Sequence, residues 1–331
     1  MATAGEGAAK AGLWHRHGWI AYAAVLFGVA GHASSEFVAK LVTAVAPIAG
    51  PEVSVWRFLI GGLALVLLAL CLPGQRDLLE PIKRDGLRLL PLSLLGVTAT
   101  YLLFHWALDY ATVAQVATLI TTAPIFVGVI NAKVNRERLS WGKIVGGLGA
   151  FAGVALLVTD GVLARLTGDV QSLIGVLLTL ASAVLLSGYL VFIKPFTAKY
   201  GAIRVSAVTM FPGGVALWIV VGLAWGDWVV PGALPGYGAD AVAAVLVLAI
   251  YNTTLTQFLW IGGLAAVPDL TRGMYLFFLK PALAALIALA FLGEVPTWLQ
   301  VLAIAVITGC VGLEALWDKA ARRLTAGRTV A

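Results

Sequence analysis

The chain has 331 residues, 61% of them hydrophobic and only 11% charged, with a mean hydropathy of +0.97. Soluble domains carry roughly 25% charged residues, and no soluble fold of this length hides so much apolar surface, so lipid is the solvent. The net charge of +6 does not mark a nucleic-acid binder, because the basic residues fall between apolar runs and not on a soluble domain.

Residues 1–17 are small and polar and read as a disordered cytoplasmic tail. A cleaved signal peptide is not expected, because the first apolar run is too long for one. A bilayer core of ~30 Å takes about 20 apolar residues per helix. Ten such runs follow, at 18–45, 53–72, 87–108, 111–132, 142–159, 172–193, 204–225, 240–262, 266–291 and 296–317, before a basic cytoplasmic tail at 318–331. The period-two alternation of a lipid-embedded barrel is absent. The longest connection, GDWVVPGALPGYGAD at 226–240, is too short to form a domain outside the membrane. Cys71 and Cys310 both fall within runs, which excludes a disulfide framework or a cysteine metal site. No metal or cofactor is expected, and without a GxxxxGK[ST] loop ATP does not drive the chain directly.

In the first run, GHASSEFVAK (31–40) places His32, Glu36 and Lys40 four apart, on one helix face. An ionisable group within a span costs ~2.5–3.5 kcal/mol on insertion scales, so it faces protein or water. Three readings stand: a Glu36–Lys40 pair along the helix, a Lys40 that snorkels to the outer interface, or a cavity face. On the third, Glu36 is a proton site and Lys40 a carboxylate anchor. In the second run Arg57 reads as an interface anchor beside Trp56, or as a gate element or ion-pair partner of Glu36.

The third run offers Thr98, Tyr101, His105 and Trp106, and the eighth Tyr251, Asn252, Thr256 and Trp260. Asn252, Thr256 and Trp260 share a face. Polar stripes of this kind line cavities or tie helices together. His105 reads as a core histidine or a cavity group, and Trp106 and Trp260 as belt or cavity aromatics. The fourth run puts Gln115, Thr118 and Thr122 on one face, and the ninth puts Arg272, Tyr275 and Leu279 on the matching one. An arginine there can hold a carboxylate bidentately. Pro124 and Pro281 are expected to kink their helices and free the carbonyls of Ile120 and Phe277. Glu137 and Glu294 read as structural residues of short turns. A membrane enzyme is disfavoured, since the runs hold no nucleophile motif, no HExxH and no paired aspartates.

At an offset of 157, Pro124 meets Pro281, Glu137 meets Glu294 and Trp141 meets Trp298. TATYLLFHW (98–106) likewise resembles NTTLTQFLW (252–260). The chain divides into halves at 18–160 and 171–317. With the N-terminus inside, Arg165 alone of the 22 Lys and Arg lies outside, while Lys40, Arg57, Arg272 and Lys280 lie within spans and the rest are cytoplasmic. The turn around Glu137 is basic and the turn around Glu294 is not, so the halves are inverted. The expected fold is an all-α integral membrane protein, ten transmembrane helices in two inverted five-helix repeats. Inverted repeats mark secondary transporters, whose site lies near the midplane between the halves.

These features resemble the drug/metabolite transporter superfamily, in particular its EamA-type ten-helix exporters. The carriers are FVAK ending in Lys40, Arg57, and the duplicated signature of a proline followed thirteen positions on by glutamate. LFFLKPALAALIALAFLGE is similar to the second-half signature. Two departures fall near the expected cavity: Lys280 stands where many members have Glu, and GHASSE replaces the usual Trp-Gly entry. The resemblance implies a transporter of small organic solutes, a class that includes amino acids, amines, drugs and nucleotide sugars, with YddG-type amino-acid exporters among its members. The expected protein is a secondary transporter, amino acids or related compounds being the first choice of cargo. Other cargoes, or a lipid or polyprenyl-linked flippase, are the alternatives. Its partners are a small-molecule substrate and the bilayer. Its place is the inner membrane with both termini cytoplasmic, as a monomer or a homodimer through the small residues of GGLGAFAG and TGCVG.

Overall fold

The computed structural model of the chain describes residues 18–111, 113–136, 139–159, 170–292 and 297–328, and every regular element among them is helical. In chain order these are α1 (Gly18–Val45), α2 (Gly50–Cys71), α3 (Leu79–Tyr110), α4 (Val113–Ile120 and Ala123–Asn135), α5 (Trp141–Thr159), α6 (Val170–Tyr200) and α7 (Ala202–Trp225). After a 3-10 turn at Pro231–Tyr237 come α8 (Ala239–Ala266), α9 (Leu270–Tyr275, Leu276–Leu279 and Lys280–Leu292) and α10 (Trp298–Arg328). Eight of them are long and apolar enough to cross a membrane. Ten spans were expected, but the apolar parts of α5 and α10, Trp141–Leu156 and Trp298–Leu313, are shorter than the other eight. The turns around Glu137 and Glu294 lie outside the described residues.

Prolines set the boundaries. Pro51 opens α2 at its first turn, where a missing N–H costs nothing. In α3, Pro91 is followed by a wide π turn at Leu94–Ala99. A second π turn, at Val247–Leu255 in α8, covers the positions 154 further on, the offset between TATYLLFHW and NTTLTQFLW. Threonine hydroxyls hold both wide turns by reaching the carbonyl five residues back: Thr100 to Leu95, Thr253 to Leu248, Thr254 to Ala249 and Thr256 to Tyr251.

α4 and α9 are each broken before or at their prolines. α4 breaks at Thr121–Thr122, with Pro124 in the first turn of its second piece. In α9 the chain tightens to 3-10 geometry at Leu276–Leu279, and the Lys280 amide donates to the Phe277 carbonyl. This corrects the expectation of a bare carbonyl at Phe277: tightening the turn supplies the donor that Pro281 withholds.

Lipid tails give no hydrophobic drive between helices, so close backbone approach and hydrogen bonds do the packing. α2 crosses α7 at Gly62 and Gly214, while Gly61 faces Ala249 and Thr253 of α8 and Gly213 faces Ser93 and Val97 of α3. A Cβ on Gly62 would lie 2.7 Å from the Phe211 Cα, and one on Gly214 2.6 Å from the Phe58 carbonyl oxygen. α1 packs on α8, α3 on α6, and α5 on α10. The main core draws on α1 to α4 and α6 to α9, while Ala150, Val154, Tyr275, Phe278, Ala303 and Ile307 form a smaller cluster joining α5, α9 and α10.

Candidate functional site

The π turn of α8 and the middle of α2 and α3 meet around Arg57, which is 1% exposed. Its Nε donates to Thr253 Oγ1 at 2.8 Å, Nη2 to the Asn252 carbonyl at 3.0 Å, and Nη1 faces His105 Nε2 at 3.3 Å. The guanidinium also stacks over the rings of Tyr101 and Phe58, 5.3 and 5.5 Å from their centroids. Because His105 Nε2 accepts from Arg57, its Nδ1 carries the proton and donates to Ser54 Oγ at 2.7 Å, which donates onward to the Tyr101 carbonyl. The arrangement fixes one tautomer and ties α2, α3 and α8 together. Asn252 extends it to α1 by donating to the Gly31 carbonyl at 2.6 Å and to Ser34 Oγ at 2.8 Å.

Arg57 also lines a central pocket. Its walls come from α1 (His32, Ser35), α3 (Thr100, Tyr101, Phe104), α4 (Ile120), α6 (Ser182, Leu186) and α9 (Phe277, Lys280), and they leave about 340 Å³ free of atoms, counting the part that opens outward. Lys280, 4% exposed, enters from the turn that Pro281 forces on α9. Its ammonium lies 5.4 and 6.0 Å from the ring centroids of Phe277 and Phe104. No acidic residue is among the described lining. His32 sits edge-on to Trp260 at 4.6 Å and to Phe277 at 5.8 Å, and its Nε2 is buried with no partner among the described residues. Asn252 Oδ1, Gln257 Oε1 and Trp260 Nε1, all nearby on α8, are likewise without partners.

A second, smaller pocket lies toward the α1–α2 junction, lined by Ala39, Lys40, Thr43, Gly50, Val53, His105 and Leu108. Lys40 is exposed there and donates to the Leu108 carbonyl at 2.8 Å. His105 forms a wall of this pocket and contacts Arg57 of the other, so it stands between the two.

Of the residues singled out in the sequence, the structure thus brings His32, Arg57, Tyr101 and Lys280 to one pocket, with His105, Asn252, Thr256 and Trp260 packed around it. Thr256 abuts Gly31 and Trp260 abuts Gly28 on α1. Lys40 is at the second pocket. Trp106 packs against Trp225 at 5.0 Å, away from either. Tyr275 is buried against Phe278 and donates to the Lys143 carbonyl, and the Arg272 amide donates to the Asp269 carboxylate that caps α9; neither Tyr275 nor Arg272 lines the central pocket. Pro124 and Pro281 stand just past it. The side chains of Glu36 and Gln115 lie outside the described residues, as do Glu137 and Glu294. Ser35, Thr100, Phe104, Ser182 and Leu186 carried no distinguishing signal, since isolated hydroxyls and apolar residues occur in every span.

One end of the bundle is charged. Lys143 pairs with Asp269 at 2.6 Å, Lys199 with Asp85 at 2.7 Å and Arg204 with Glu80 at 3.0 Å. Burial pushes the Asp269 carboxyl up, but the Lys143 ammonium and the Arg272 amide outweigh it and hold the group below the ordinary aspartate value.

The profile of the EamA-like transporter family matches residues 19–159 and 173–313. The chain belongs to the EamA-like transporter family. It is 26% identical over 272 residues to the uncharacterized transporter YdfC of Bacillus subtilis, covering 79% of this chain and 80% of that one. It is also 26% identical over 271 residues to a probable terminal-alkyne amino-acid exporter of Streptantibioticus cattleyicolor, covering 80% and 82%. A solved crystal structure superposes with a TM-score of 0.72 at 19% identity, over 91% of this chain and 98% of the other, and so shares the fold. This EamA-like protein is therefore a multi-pass membrane transporter, and the central pocket lies where its two matched segments meet: His32, Arg57 and Tyr101 come from the first, Ser182, Phe277 and Lys280 from the second.

Proposed function

We propose that the chain is a secondary transporter of small organic metabolites, amino acids or related compounds foremost, working by alternating access through the central pocket. The observation that carries this is the pocket itself, walled by both matched segments and holding Arg57 and Lys280 in the middle of an apolar bundle. Buried cations of this kind face cargo pathways in membrane proteins, and both can bind a carboxylate. The relative named as a probable amino-acid exporter points the same way.

The finer topology belongs to the same proposal: ten spans in two inverted repeats, in the inner membrane with both termini cytoplasmic. Helix pairing supports it. α2 packs on α7 and α5 on α10, each with its own counterpart, while α1–α8 and α3–α6 exchange under the repeat. The paired π turns and the breaks in α4 and α9 support it too. The bias of Lys and Arg supports the orientation. Glu36, on α1 within the first matched segment, is the candidate proton carrier if transport is coupled.

Counterflow in proteoliposomes tests the reading. Vesicles preloaded with mixed amino acids should take up labelled amino acid, and Lys280→Met should slow that uptake at least about tenfold, the loss of one charge-assisted hydrogen bond. Uptake of a different solute class with none of amino acids would refute the cargo; equal uptake by Lys280→Met would refute the site.

A further inference from the structure

The two pockets are lined by the same three helices, and on each helix the lining forms one stripe. On α1, His32 and Ser35 line the central pocket, and Ala39, Lys40 and Thr43 line the second. On α2 the central pocket takes Arg57, and the second takes Val53 and Gly50, one and two turns earlier. On α3, Tyr101 and Phe104 line the first pocket, and His105 and Leu108 the second. Spacings of three and four keep each set on one helix face. The second pocket leaves about 170 Å³ free of atoms, counting the part that opens outward. Three stripes that run on from one pocket to the next describe two chambers of one passage. It leads from the centre of the bundle to the end where Lys40 is exposed.

His105 is the side chain that meets both chambers. It walls the second pocket, and it touches three residues of the central one. Its Nε2 is 3.3 Å from Arg57 Nη1, and its ring centroid is 5.1 Å from that of Phe104 and 6.3 Å from that of Tyr101. Its backbone is fixed, because Gly50 packs so closely on the His105 carbonyl that a Cβ there would not fit. The ring is held by hydrogen bonds instead, through Ser54, the Tyr101 carbonyl and Arg57. Of the three contacts that the guanidinium makes, the one to His105 is the longest. It also lies within the first matched segment. Parting it leaves Arg57 on Thr253 and Asn252, so the joint between the segments survives while the ring turns.

We propose that cargo passes between the central pocket and the Lys40 end through the second pocket, and that the His105 side chain is the gate between the two chambers, latched by Ser54 and Arg57. This rests on the reading of the central pocket as the cargo site and adds the way out of it. Lys40, which reaches from α1 to the Leu108 carbonyl of α3, lies on the wall of the outer chamber.

The test is the labelling of a cysteine in the central pocket from one face of oriented vesicles at a time. The full chain carries Ser35→Cys, with Cys71 and Cys310 replaced by serine, and the probe is a membrane-impermeant maleimide. Thr43→Cys, in the outer chamber, is the reference. His105→Ala removes both the ring and its latch, so labelling of Ser35→Cys from the face nearer Lys40 should rise about tenfold or more. Labelling from the opposite face, and of Thr43→Cys, should stay within about twofold, a change too small to count as a lost hydrogen bond. His105→Asn keeps an amide beside Ser54 and should give the same one-sided rise. Ser54→Ala removes one neutral bond of the latch and should give about threefold.

A rise from both faces alike marks a loosened core, and an unchanged rate in a folded variant marks a route elsewhere; either overturns the proposal. If neither His105 variant folds, Ser54→Ala decides, and no one-sided rise there overturns it too. Amino-acid counterflow of the parent is measured alongside. A one-sided rise in a chain that carries no amino acid upholds the route and removes the cargo reading. Counterflow without a one-sided rise removes the route and leaves the cargo reading standing.

Discussion

The two ends of the bundle are closed by different chemistry. At one end the matched segments are tied by three ion pairs, Lys143–Asp269, Lys199–Asp85 and Arg204–Glu80. At the other, among the described residues, the segments meet through an aromatic pair, Trp106 on Trp225, and the polar bonds stay within a segment: Lys40 to the Leu108 carbonyl and the Gly50 amide to Asp109. Between them the Arg57 network joins the segments with fully buried hydrogen bonds. The difference teaches which parts are built to part. A buried guanidinium with three partners is costly to break, whereas partly exposed ion pairs and a ring contact are each worth about 1 kcal/mol. On the alternating access proposed above, one end or the other would open about a fixed centre.

The comparison can be broken most severely at the centre. Arg57→Leu strands Thr253 Oγ1, the Asn252 carbonyl and His105 Nε2 in the core and should cost about 3 kcal/mol, since each bond to a charged group is worth ~1.5–3. Thermal unfolding in detergent should show it, and transport should be abolished. Arg57→Lys should rescue little, because an ammonium cannot reproduce the planar fork. A variant as stable and active as the parent would remove the centre from the comparison.

At the charged end, Lys143–Asp269 should show in the pH dependence of stability. The folded Asp269 carboxyl titrates below its ordinary value of 3.8, so its contribution is complete above that value and is lost as pH falls through the lowered one. The carboxylate side chain is 26% exposed, which limits the pair to about 1 kcal/mol. Asp269→Asn should flatten the acid limb of a stability-versus-pH profile and leave the neutral region lower; an unchanged acid limb would deny the pair its role.

Trp106→Ala should cost about 1 kcal/mol, the worth of an aromatic pair, and should favour opening at the aromatic end. The smallest effect is expected from Asp85→Asn, whose partner Lys199 is exposed. It should ease opening of the charged end at low salt and do nothing at about 1 M salt, where the Debye length falls to ~3 Å. Both are read as the rate at which a thiol reagent reaches a cysteine placed in the pocket, applied from one face of the membrane at a time.

The helices were legible because hydropathy reports the slab of lipid they cross. The expected 87–108 became Leu79–Tyr110 because the helix runs on past the apolar window through LEPIKRDG, where Glu80 and Asp85 meet Arg204 and Lys199. The π turns were not legible: they depend on threonine hydroxyls reaching back five residues, and threonine is ordinary in any span. At the site, Arg57, His32, Tyr101 and Lys280 stood out because ionisable or aromatic-polar groups are rare in lipid. Spacing alone grouped Lys40 with His32, since both lie on one face of α1. That face is long enough to serve two pockets, with His105 between them. Arg272 stood out by its charge too, but a charge does not report position: it sits in the first turn of α9, its amide on Asp269, and is not among the residues lining the central pocket.

The most direct measurement is the accessibility of Ser35→Cys, with Cys71 and Cys310 replaced by serine, to a membrane-impermeant maleimide added to either face of oriented vesicles. Alternating access through the central pocket predicts labelling from both faces, slowed by cargo in each case. Labelling from one face alone, unaffected by cargo, would contradict it.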